Sequence, residues 1–132
     1  MVSRTIRLLL LDDSSFFTEG MTERCEFEVA EYGIDVKVVD NLDEAIALVR
    51  SWSPDVILFD VYTDLAHSFE LLARWKDVAF VVVTSEKHSQ EIELRVLEAG
   101  ASAFLPKPST LEDIERVLHE LLLFVPEAPS NH

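Results

Sequence analysis

Residues 54–72 read PDVILFDVYTDLAHSFELL, and the way this stretch divides decides the fold. Val56 to Phe59 is an apolar, partly β-branched run that stops at Asp60. A polar loop follows, and from Ser68 to Lys76 the apolar residues recur at helical spacing. A run apolar on both faces suits a strand buried in a parallel sheet, so Asp60 falls where a strand gives way to a loop. Three readings of Asp60 stand open. It is the nucleophile of an enzyme that turns over phosphate esters, an acceptor that keeps a phosphoryl group as a signal, or a turn residue ending a strand.

The same strand-then-helix pattern extends in both directions. IRLLLL (6–11), VKVV (36–39), VILF (56–59), AFVVV (79–83) and SAFL (102–105) each read as a short strand. Between them lie helical stretches, the first from about Ser15 to Tyr32 and ended by Gly33, a cap glycine. LDEAIALVRSW (42–52) follows the N-cap chemistry of Asp40-Asn41 and stops before Pro54. SFELLARWK (68–76) is short, SQEIELRVLEAG (89–100) ends on a glycine, and TLEDIERVLHELLLF (110–124) opens with a box-like Thr110 and Asp113. Strict alternation of five strands with five helices predicts an α/β, doubly wound parallel sheet, because parallel neighbours need crossover helices. Trp52 and Trp75, near helix ends, are expected in core or rim packing. So are Phe16, Phe17 and Phe27, though the adjacent pair cannot both face inward.

At 132 residues the chain holds one domain, expected over 1–125, with the Pro-rich, polar residues 126–132 as a disordered tail. A net charge of -14 without any basic run argues against nucleic acid, which is bound through Lys and Arg clusters. Cys25 is the only cysteine, which rules out a disulfide framework and suits a reducing compartment. No apolar stretch approaches the ~20 residues of a membrane span. A cytoplasmic protein without membrane contact is the expectation.

The informative pattern is what ends each strand: Asp12 and Asp13 after the first, Asp60 after the third, Thr84 after the fourth and Lys107 after the fifth. A parallel sheet gathers all its carboxyl ends along one edge, where open α/β folds bind their ligands. Singly, each residue reads better as a turn, cap or solvated surface group; together they are harder to dismiss. Crowded carboxylates are hard ligands suited to Mg²⁺. A carboxylate can attack phosphorus to give an acyl phosphate, while metal and lysine neutralise the transferring group. His67, His88, His119 and His132 have no ligand-like spacing and read as surface residues.

These residues resemble the receiver domain of two-component response regulators. LLLLDDSS is similar to the family's acidic pair, PDVILFD to its acceptor strand, VVVTS to its switch hydroxyl, and EAGASAFLPKP to its AGAxxYLxKP segment. The resemblance spans Ile6 to about Phe124. It implies a flavodoxin-like strand order 2-1-3-4-5 and a signalling domain that catalyses its own phosphoryl transfer and slow autodephosphorylation. Asp60 would be the phosphoacceptor, Lys107 the phosphate-contacting lysine, Thr84 the switch hydroxyl and Phe104 the switch aromatic. Asp12, Asp13, Asp60 and the backbone carbonyl of Tyr62 would hold Mg²⁺, and the Lys107-Pro108 bond would be cis. Tyr62 and Glu86, two residues beyond Asp60 and Thr84, would flank the phosphoryl group and tune its lifetime. A histidine kinase or histidine phosphotransfer protein would be the donor. The fourth and fifth helices would offer a surface for a homodimer or a partner protein.

The chain departs from the family after Asp60, where DVYTDLAHSFELL replaces DxxMPxMDGxELL. Thr63 and Asp64 stand for Met-Pro and Ser68 for glycine, which bears on the loop's shape and kinetics. The stretch from Ala73 to Phe80 is also short, implying a clipped third helix or a tight connection. An unphosphorylated receiver-like interaction module therefore remains an alternative. A haloacid-dehalogenase-type phosphatase is disfavoured, since its motif needs a second aspartate where Tyr62 stands and its acceptor strand comes early. In the last helix, LLLFV (121–125) exceeds one apolar face, so part of it is expected at the surface or folded back onto the domain.

Overall fold

The computed structural model describes residues 5–11, 33–60, 65–85, 90–106 and 111–124. Five strands, β1 Thr5–Leu11, β2 Gly33–Val39, β3 Val56–Asp60, β4 Phe80–Ser85 and β5 Ala103–Pro106, form one sheet. Its order is β2-β1-β3-β4-β5, and every pairing is parallel. Four helices are described: α1 Leu42–Trp52, α2 Leu65–Trp75, α3 Gln90–Glu98 and α4 Leu111–Phe124. They correspond to the second to fifth helices read from the sequence. The predicted first helix, Phe16, Phe17, Phe27 and the tail 126–132 lie outside the described residues.

Alternating side chains along the strands feed two cores. Leu9, Leu11, Ile57, Phe59, Val81, Val83 and Phe104 point to the side where α1, α2 and α3 contribute Ala45, Leu72, Trp75 and Val96. Leu8, Leu10, Leu58, Val82, Ala103 and Leu105 face the other side, packed with Val117 and Leu121 of α4. Each fully buried side chain of this size contributes about 1.5–3 kcal/mol relative to exposure. This two-faced burial is why the central strands read as unbroken apolar runs.

Helix α1 is bounded by local chemistry. The Asn41 side chain accepts from the Glu44 amide at 2.8 Å, and its own amide group donates to Glu44 Oε2 at 3.2 Å. At the other end Ser53 takes a left-handed φ of 53°, with Pro54 preventing continuation. The start of β3 is then tied to β1. Asp55 and Arg7 exchange backbone and side-chain hydrogen bonds at 2.8 and 2.9 Å, and Arg7 Nη1 donates to the Trp52 carbonyl at 2.8 Å.

Several element limits differ from the sequence reading. The second strand starts at Gly33 rather than Val36 because β2 is an edge strand whose exposed Asp35 and Lys37 interrupt the apolar pattern. Helix α2 begins at Leu65, before Ser68, and Ser68 is buried in its first turn. The helix accepts a side chain where the resembling family has glycine. Leu71 and Leu72 then face the core while Glu70 faces solvent. The short stretch after Ala73 is a tight connection, not a clipped helix: α2 has 11 residues, as α1 does. Amides of Val78 and Ala79 bond the Trp75 carbonyl at 3.0 and 3.2 Å, and Phe80 enters β4 by donating to Asp55 O at 2.9 Å. Trp75 is a core residue, meeting Phe59 edge to face at 5.9 Å, whereas Trp52 lies at the rim under the Lys37 ammonium.

Candidate functional site

Parallel pairing brings the carboxyl ends of β1, β3 and β4 to one edge. The winding reverses between β1 and β3, the place where open α/β sheets bind ligands. Asp60 is the last residue of β3 and stands beside that reversal. Leu11, the last residue of β1, is in register with Phe59, and Thr84 of β4 is in register with Asp60.

Both polar groups are buried. Asp60 is 8% exposed and Thr84 is 0% exposed. Burying a hydroxyl or a carboxylate is costly unless hydrogen bonds replace the lost water. Here they serve each other: Thr84 Oγ1 donates to Asp60 Oδ1 at 3.1 Å. The same oxygen lies 3.4 Å from the Phe59 carbonyl, a longer contact in competition for the one proton. Ser85, the small residue after the hydroxyl, is also buried.

Phe104 sits one strand further, in register with Val83, and its ring is buried. Its carbonyl accepts from Arg116 Nη2 of α4 at 3.3 Å, and Arg116 Nη1 lies 3.8 Å from Glu120 Oε1. Arg116 was not singled out by the sequence. It flanks the apolar stripe of the last helix, where a charged residue reads as solvated surface, and its contact with strand β5 appears once the sheet is formed beside it. Arg95 similarly lies over the Phe69 ring at 5.3 Å, joining α3 to α2.

Of the residues predicted for the site, the structure therefore brings Asp60 and Thr84 into contact and puts Phe104 on the adjoining strand. Asp12, Asp13, Tyr62, Glu86, Lys107 and the Lys107-Pro108 bond lie outside the described residues. His88 and His132 do as well. No group of three metal-ligating side chains occurs among the described residues, which hold only Asp60 of the expected set. The donor chemistry fits Mg²⁺ in kind, carboxylate oxygen at a ligand-binding sheet edge. Leu94, Leu97 and Leu123 are exposed, Leu123 to 89%, so part of the last helix's apolar surplus does face solvent. No described helix is long and apolar enough to cross a membrane.

The comparisons agree with this geometry. A family model, the response regulator receiver domain, matches residues 8–119. The chain is 31% identical over 119 residues to a protein-glutamate methylesterase/protein-glutamine glutaminase of Idiomarina loihiensis, covering 85% of this chain and 29% of that protein. It is 33% identical over 110 residues to the transcriptional regulatory protein DegU of Brevibacillus brevis, covering 77% of this chain and 44% of that one. The chain thus spans less than half the length of these two curated relatives. A response regulator from Thermotoga maritima shares the fold, with a TM-score of 0.77 at 22% identity over 89% of this chain and 98% of that chain. The order of the strands, the buried aspartate at the end of β3 and the family match converge: this chain belongs to the response regulator receiver domain family.

Proposed function

We propose that this receiver domain takes a phosphoryl group onto Asp60 from a histidine kinase or histidine phosphotransfer protein and signals by changing its protein contacts. The observation that supports this most is the Thr84 hydroxyl held 3.1 Å from the Asp60 carboxylate at the sheet edge. A carboxylate oxygen of Asp60 attacks phosphorus, the P–N bond of the phosphohistidine breaks, and the imidazole leaves. The product is an acyl phosphate.

The remaining roles follow from the chemistry of the residue types. Asp12, Asp13, Asp60 and the Tyr62 carbonyl would hold Mg²⁺, which when bound offsets the charge of the transferring group. Lys107 would pair with a phosphoryl oxygen. Thr84 would exchange its bond to Asp60 for one to the phosphoryl group, drawing the end of β4 toward it. Phe104 would then change position on β5. Tyr62 and Glu86 would control water access, and hence the slow loss of the phosphoryl group.

The domain's charge of -14 disfavours direct nucleic-acid contact by these residues. That argument concerns this segment only, since one relative carries the name of a transcriptional regulatory protein and is matched over 44% of its length. Exposed Leu94 and Leu97 on α3 and Leu123 on α4 are candidates for a partner or homodimer surface. Locating the modification tests the reading. After treatment with acetyl phosphate and Mg²⁺, borohydride reduction and peptide mapping should place the acyl phosphate on Asp60. A label on any other residue would contradict it.

A further inference from the structure

The two edges of the sheet are finished differently. β5 is four residues long and ends in Pro106, which has no amide hydrogen to offer a further strand. β2, Gly33–Val39, is seven residues long, contains no proline and pairs with β1 along its whole length. On its outer side no strand follows among the described residues, so that row of backbone amides and carbonyls faces no ladder. Asp35, Lys37 and Val38 are exposed, Val38 to 52%, so side chains of both faces reach solvent at this edge.

Such an edge is a template for another strand unless its charges forbid pairing. The charges of β2 forbid most pairings with its own copy and permit one. A symmetric antiparallel pair of identical strands sets one residue opposite itself. Centred on Asp35 the pair opposes two aspartates, and centred on Lys37 it opposes two lysines. Like charges directly opposite one another are destabilising. Centred on Val36 it sets Asp35 opposite Lys37 of the second copy, and Lys37 opposite that copy's Asp35. Val36 is also the midpoint of Gly33–Val39, so this register alone uses the full strand. Residues opposite one another point to the same face, which puts both ion pairs on the α1 side. There the Lys37 ammonium already lies 5.2 Å from the centre of the Trp52 ring. On the other face Val36, partly buried against the core of α4, meets its own copy.

We propose that β2 is a self-association edge through which two copies of this chain join their sheets, antiparallel and centred on Val36. The occupant is a second copy because the strand's charges complement themselves in that register and repel in the neighbouring ones. A seven-residue edge is a small contact, so the dimer is weak and depends on concentration. The pairing uses no residue of the Asp60 site and needs no phosphoryl group there.

Sedimentation velocity of the full chain, without any phosphoryl donor, tests the pairing. About 0.15 M salt screens the net charge of -14 that each copy carries. The parent should pass from monomer to dimer as its concentration rises toward about 1 mM. Asp35→Lys sets lysine opposite lysine at both ends of the register and should weaken association about tenfold. Lys37→Asp, which opposes aspartates, should do the same. The double variant, Asp35→Lys with Lys37→Asp, restores opposite charges in exchanged positions and should recover most of the parent's dimer. Both residues are exposed, and circular dichroism checks that each variant keeps its helices and sheet. A parent that stays monomeric to that concentration overturns the proposal. So does a dimer indifferent to both single variants, whose contact would lie on another surface. A double variant that associates as weakly as the single ones overturns the register.

Discussion

The hydroxyl of Thr84 donates to Oδ1 of Asp60 at 3.1 Å, joining the ends of two neighbouring strands through their side chains. The bond satisfies a hydroxyl with no solvent access and a carboxylate with very little. It also puts Thr84 in direct contact with the Asp60 carboxylate.

Removing that hydroxyl without changing the side chain's shape isolates its contribution. Thr84→Val should lower the unfolding free energy by about 1.5–3 kcal/mol, the range for a hydrogen bond to a charged group. Thr84→Ser should stay within about 1 kcal/mol of the parent, having lost one methylene-sized group. Urea denaturation of both variants measures the difference. Equal stability of Thr84→Val and the parent would show that the bond does not hold the site together.

Trp75 closes the core beneath the site, where its ring meets Phe59, the residue before Asp60. Trp75→Ala should cost about 3–5 kcal/mol by leaving a cavity that this rigid sheet fills poorly. The expected record is an earlier urea midpoint. A change under 1 kcal/mol would place the indole outside the supporting core.

Ser53 ends α1 with a left-handed φ of 53°, a conformation that disfavours a side chain. Ser53→Gly should therefore raise stability by up to about 1 kcal/mol. Thermal unfolding reads the gain as a higher Tm. A loss would mean that the serine side chain contributes more than its backbone costs.

Tyr62 stands two residues beyond Asp60, where a bulky ring would shield an acyl phosphate from water. Tyr62→Ala should change the decay rate of the phosphorylated protein by several-fold. Following intact mass after removal of the donor gives the rate. An unchanged decay would sink the tuning role.

The fold was legible because its central strands are buried on both faces, and VILF and VVV signal this by composition alone. The limits of β2 were less so, since Asp35 and Lys37 lie on the exposed side of an edge strand. The start of α2 was missed although Asp64, a cap-type residue, directly precedes Leu65, because the helical spacing of apolar residues becomes clear only from Phe69 onward. Strand ends carried the site: Asp60 and Thr84 could be placed on one edge in advance because a parallel sheet gathers its carboxyl ends there. The contact of Arg116 with β5 could not, because its partner there is a backbone carbonyl, and a carbonyl leaves no mark on a sequence.

The central claim is that Asp60 accepts a phosphoryl group. Intact-mass measurement after incubation with acetyl phosphate and Mg²⁺ tests it most directly. The expected result is one adduct of about 80 Da, the mass of a single phosphoryl group, not formed when the metal is chelated before the donor is added and absent from Asp60→Asn. The folded parent protein remaining unmodified under these conditions, or Asp60→Asn gaining the same adduct, would contradict it.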